Sequence, residues 1–303
     1  MLVPKLASLV ALAPSISRST TTRLQSTMSG ITIILSPAKT LDLTMDYSDE
    51  TTRPSCNPAK TREIAQIIKN LSKSEMKKVF GVSDAVAEKT KAYWDDFVLD
   101  DASSSNGRPC IYTYTGMAYQ GLDVETCTKE MIDYMQKSLR ILDGVYGALR
   151  PLDEIQAYRM EMLTKVPGIG EKLSTYWKTD VTEQLVREMK EQGHQLLVNA
   201  ASDEYSATVD WKSLPDGITP IKVKFTEHGR VVTVHAKKAR GLIVRFLAAA
   251  NASTVDDIRK FNLEGYVLDE SASDETLLVF NRKKQTAKRG STASQRSTKR
   301  SKK

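Results

Sequence analysis

ITIILSPAKT, residues 31–40, begins with the apolar run Ile31 to Leu35 and turns abruptly polar at Ser36 and Pro37. A short run of this kind reads as a buried strand, and Pro37 marks where the chain must leave the ladder. Working outward, 58–97 reads as two or three helices, with Ile64, Ile67, Ile68 and Leu71 on one apolar face. CIYTYTG (110–116) alternates and reads as a strand, and 128–139 reads as a helix. The stretch 141–162, ILDGVYGALRPLDEIQAYRMEM, reads as a short helix, a turn at Pro151 and an extended segment. A long helix is expected over 171–191, closed by Gly193, and a strand at QLLVNA (195–200). Residues 218–236 alternate on both sides of His228 and Gly229, which predicts a β-hairpin. Helices at 241–250 and 254–260 and strands at GYVLDE and TLLVF complete the body. Helices and strands interleave irregularly, so the expected fold class is α/β (mixed α+β), one compact domain over 29–280 with a mixed sheet flanked by helices.

The chain has 303 residues and a formal net charge of +7. Of its 44 basic residues, four lie in 1–41 and ten in 281–303, and neither end holds an acid. Residues 42–280 therefore carry 30 basic against 37 acidic residues, a net of −7. The basic balance belongs to the ends, and a nucleic-acid surface must be argued from local clusters. Residues 1–28 are rich in Ser, Thr and Leu with spaced cations, the composition of a transit peptide for a mitochondrion or other organelle. A start at Met28 would leave the chain in the cytosol, and the basic tail 281–303 could direct it to the nucleus. That tail is polar, cationic and of low complexity, so it is expected to be disordered. No apolar run is long enough to span a bilayer, and no membrane partner is expected. Cys56, Cys110 and Cys127 form no CxxC pair, and His194, His228 and His235 are scattered, so neither a metal nor a cofactor is expected.

VPGIGEKLSTYW (166–177) has the G-h-G turn of a helix-hairpin-helix element, in which backbone amides approach a phosphate. Lys165, Lys172 and Lys178 surround Gly168 and Gly170. In HAKKARGLIVRF (235–246), Lys237, Lys238, Arg240 and Arg245 make a second basic cluster at a strand end and helix start. SPAKT contains Ser-x-x-Lys, the spacing of serine acyl-enzymes, but no SDN or KTG partner accompanies it. Lys39 is better placed to reach a bound anion from the strand end. NAASDEY (199–205) puts Asn199, Ser202, Glu204 and Tyr205 at another strand's carboxyl end, where α/β sheets bind ligands. Arg150, Asp153, Tyr158, Arg159 and Glu161 add further polar groups at element ends.

SPAKTLD, YTG, ILDGVYGALRPLDEIQAYRMEM, NAASDEY, HAKKARGLIVRF and the GY at 265–266, in this order, closely resemble the YaaA family of peroxide-stress proteins. The resemblance spans residues 31–280 and leaves out both ends. It implies a single α/β domain of unusual topology with a positively charged cleft and a helix-hairpin-helix element near 166–177. It also implies DNA binding and protection of DNA against hydrogen peroxide, with lowered free iron. Lys39 and the KKARG block would be cleft cations.

Two functions are therefore expected in competition. One is a double-stranded DNA binder without sequence preference, with contacts at Lys165, Gly168, Gly170, Lys172, Lys178, Lys237, Lys238 and Arg240. The other is an enzyme acting on a nucleotide or other phosphorylated small molecule, with Lys39, Arg159, Glu161, Asn199 and Glu204 as pocket residues. A scaffold working through its tails is the third alternative.

Overall fold

The computed structural model describes residues 30–99 and 106–282. The expected presequence and the tail beyond Arg282 lie outside the described residues. The strands are β1 (Ile31–Leu35), β2 (Thr40–Leu41), β3 (Arg108–Pro109), β4 (Tyr114–Thr115), β5 (Leu139–Asp143), β6 (Gly147–Leu149), β7 (Glu154–Ile155), β8 (Leu196–Asn199), β9 (Thr219–Glu227), β10 (Tyr266–Leu268) and β11 (Leu277–Arg282). The helices are α1 (Pro58–Lys69), α2 (Lys73–Phe80), α3 (Asp84–Asp96), α4 (Cys110–Thr113), α5 (Met117–Leu122), α6 (Lys129–Ser138), α7 (Leu173–Tyr176), α8 (Lys178–Gln192), α9 (Asp203–Ser206), α10 (Thr233–Ala249) and α11 (Val255–Arg259).

All five residues of β1 are buried, as an unbroken apolar strand at the centre of a sheet requires. The seven-stranded sheet runs β10-β11-β9-β8-β1-β5-β6. Its five inner strands are parallel, and β6 and β10 are antiparallel edges. This is the mixed α/β architecture expected from the sequence. Helices α6 and α10 pack together, α6 also against β1 and α10 also against β9, while α8 lies against β6. Arg140 on β5, almost fully buried, pairs with Glu188 of α8 and ties that helix to the sheet.

From β1 the chain goes to β5 on one flank and later returns to lay β8 on the other. The loops leaving β1 and β8 therefore part at the strand carboxyl ends, which is where an open parallel sheet forms a crevice.

Helix α10 crosses α5 at glycines. A Cβ on Gly241 would stand 1.7 Å from the Ala118 carbonyl oxygen, and one on Gly121 2.2 Å from the Lys238 carbonyl oxygen. Only hydrogen side chains permit that approach.

Three expectations from the sequence fail here. Residues 110–113 form the helical turn α4 and not a strand. The Cys110 and Ile111 amides reach the Asp153 and Pro151 carbonyls (2.9 and 3.0 Å), and all four side chains are buried, so apolar/polar alternation carried no information about faces. The short helix expected from 141 is replaced by β5 and β6, because Leu35 of β1 pairs with Ile141, which faces Leu149 in turn. The second arm of the 218–236 hairpin is absent. Both edges of β9 are already taken, by β8 and β11, so after the turn that links Glu227 and Arg230 the chain enters α10. The body also extends slightly beyond 280, since β11 runs to Arg282.

Candidate functional site at the strand carboxyl ends

Ser36 directly follows β1, and Ser202 lies three residues after β8. The Ser202 amide donates to Ser36 Oγ (3.0 Å), the two hydroxyls lie 3.3 Å apart, and the Tyr119 hydroxyl donates to the Ser36 carbonyl (3.2 Å). The two diverging loops are thereby stitched at the base of the crevice. Asn199, expected as a pocket residue, is buried, accepts from the Ala201 amide (3.0 Å) and lines a cavity with Asp203, Trp211 and Lys222.

The extended segment after β7 meets the loop that leaves β1. There Glu161 takes Lys39 Nζ at 2.8 Å and an Arg159 Nη2 at 3.5 Å. Lys39, Arg159 and Glu161 are thus brought together. Tyr205 joins them. Its hydroxyl is pushed well above the usual tyrosine range, first by burial and then by Glu204, Asp143 and Glu161, and the Met162 amide reaches it. Glu204 Oε1 and Arg159 Nε are buried without a hydrogen-bond partner among the described residues.

Beneath the crevice lies Asp143, which sequence reasoning missed. Its carboxylate accepts from the Val145 and Tyr146 amides (2.7 and 3.0 Å), from Tyr114 (2.9 Å) and from Tyr158. Burial nonetheless raises its pKa above the ordinary aspartate value, with those donors opposing the rise. The one sequence signal for it was an acid set inside the apolar run 141–145.

The PGIG turn sits on the same extended segment. No helix precedes it among residues 156–172, so the helix-hairpin-helix element expected from the sequence is not formed. Lys165 and Lys172 instead form a β-bridge, reinforced by the Leu173 amide on the Thr164 carbonyl (3.0 Å) and the Ser174 amide on the Met162 carbonyl (2.9 Å). Buried Val166 and Leu173 anchor the loop, which competes successfully with a first helix. Gly168 and Gly170 take φ of +87° and +82° and stand exposed at the tip. Only the one-turn helix α7 follows before α8.

The expected cations differ in availability. Lys165, Lys172 and Lys237 are exposed, Lys178 is half-buried, and none makes an ion pair among the described residues. Lys238 is held by Glu264. Arg240 is half-buried beside Asp203; burial lowers its pKa and Asp203 opposes that. Arg245 serves the fold, donating to the Leu122 and Asp123 carbonyls at 3.0 and 2.8 Å. All of Lys237 to Arg245 lies inside α10 and not at a strand end.

Among the described residues, no group of three or more His, Cys, Asp or Glu could hold a metal. Burial pushes the Cys56 thiol up to about 12 and Cys110 well above the usual range, and it raises Cys127 too. Such thiols are protonated at neutral pH and are poor nucleophiles toward peroxide.

The profile of the family described as peroxide stress protein YaaA matches residues 31–272. The chain belongs to this family. Its relatives include a UPF0246 protein of Flavobacterium johnsoniae, 38% identical over 254 residues, covering 82% of this chain and 99% of the relative. Another, from Francisella tularensis subsp. novicida, is 35% identical over 252 residues with the same coverage. The YaaA match begins at the first residue of β1 and takes in the crevice, the glycine turn and α10.

Proposed function

We propose that this YaaA-family chain serves the peroxide stress response by binding double-stranded DNA through its phosphates and shielding it from hydrogen peroxide. The observation that carries the reading is the pair Lys165 and Lys172. They are exposed, free of ion pairs among the described residues, and bridged to one another at the base of a loop tipped by Gly168 and Gly170. Some other surface lysines are neutralised, Lys73 by Glu88, Lys77 by Asp84 and Lys129 by Asp133, and what sets this pair apart is its place beside the exposed glycine tip. Two uncompensated ammonium groups beside a bare backbone tip suit a phosphate chain, which asks for charge and close approach and not for a base-reading surface. Lys178, Lys237 and Arg240 extend the contact, and Lys39 and Lys238 join only by exchanging a carboxylate for a phosphate. Because the first helix of the hairpin is missing, the grip rests on charge, and binding is sequence-independent. The double charge reversal Lys165→Glu, Lys172→Glu tests it by duplex titration, with circular dichroism as the control for folding. Affinity is expected to fall at least about tenfold, since each reversal both removes a phosphate contact and adds a repulsion. Unchanged affinity would remove the loop from the interface.

A further inference from the structure

Glu204 Oε1 and Arg159 Nε are both buried and unpartnered among the described residues. Native proteins leave few such atoms, because an unmet buried polar group costs about 1–3 kcal/mol. DNA phosphates answer only one of them: they can accept from Arg159 but have no hydrogen to give a carboxylate oxygen. Their needs are opposite, since Glu204 lacks a donor and Arg159 lacks an acceptor. Arg159 is 3.5 Å from Glu161, which also holds Lys39 at 2.8 Å, and Ser202, two residues before Glu204, meets Ser36, three residues before Lys39. The place is the sheet's switch point, where the loops after β1 and β8 part and Ser36 and Ser202 close the base.

Charge narrows the ligand further. The crevice wall and rim carry Lys39 and Arg159 against Glu161 and Glu204, two charges of each sign. A phosphate dianion would enter a neutral site that already holds two carboxylates and would leave its charge uncompensated. A zwitterion keeps the balance and supplies what each orphan lacks. We propose that the crevice between the loops after β1 and β8 binds a small zwitterion of the α-amino acid class, its carboxylate on Arg159 and Lys39 and its ammonium on Glu204.

The test is thermal denaturation of the full chain with a panel of L-α-amino acids, with inorganic phosphate and adenosine monophosphate as the competing chemistry, followed by calorimetric titration of any amino acid that stabilises it. At least one amino acid is expected to raise the melting temperature. Its N-acetyl and C-terminal amide forms should each bind at least about tenfold more weakly, because each removes one of the two charge-assisted contacts. Glu204→Gln should cost a similar factor for the free amino acid. Stabilisation by phosphate or the nucleotide with none by amino acids would overturn the proposal. So would capped forms that bind as well as the free one, a Glu204→Gln chain with undiminished affinity, or a panel without effect. The capped ligands on the unaltered chain decide the matter even if the variant fails to fold.

Discussion

Asp143 shows how much one buried acid can organise. It ends β5, turns the chain into β6 through the Val145 and Tyr146 amides, and fixes Tyr114 and Tyr158 from two separate segments under the crevice. Burial raises its folded pKa above 3.8, the value for an exposed aspartate. The folded state then binds this proton more tightly than the unfolded state does. Stability from this group is full below about pH 4 and declines as pH rises through the interval between the two pKa values. Asp143→Asn cannot titrate. Chemical denaturation across that interval should show the native chain losing stability relative to the variant as pH rises. A difference that stays constant with pH would mean that the four donors hold Asp143 ionised as readily as water does. In the sequence Asp143 was hidden because an acid in an apolar run has no periodicity of its own; its meaning comes from Tyr114 and Tyr158, which are distant in the chain.

Among the elements, the crossing of α5 on α10 gives the sharpest contest between local and tertiary terms. Replacing a helical glycine by alanine favours the helix by about 1 kcal/mol. At Gly241 the added methyl would overlap the Ala118 carbonyl oxygen at 1.7 Å, which is backbone and cannot swing aside. Overlap wins: Gly241→Ala should destabilise by about 1–3 kcal/mol or more, read as a lower urea midpoint. A higher midpoint would show that the helices slide apart freely. The elements legible in the sequence are those whose signal is local. β1 was a continuous apolar run, and α2, α3 and α11 are capped by Ser72, Ser83 and Thr254. Those that were not legible depend on partners. β5 is a strand because β1 lies beside it, and 231–236 is no strand because β9 has no edge left. Of the site, Lys39, Arg159, Glu161 and Glu204 could be found as polar groups at element ends. The pairing of Lys165 with Lys172, in place of a first helix, could not.

At the scale of the whole molecule, charge is unevenly divided. Residues 42–280 are net −7, while 281–303 carry ten cations. An acidic body can still hold DNA where its free lysines gather, because screening confines each exposed charge to about 10 Å at 0.1 M salt. The tail, by contrast, would bind any polyanion. The most direct measurement is therefore a duplex-DNA titration across salt concentrations with the chain ended at Arg282 beside the full chain. If the body grips about three phosphates, the shortened chain keeps its affinity for DNA with a log–log salt slope near −2.7. Loss of binding with the tail, or a slope near zero, would contradict the account and leave the folded body as a small-ligand protein.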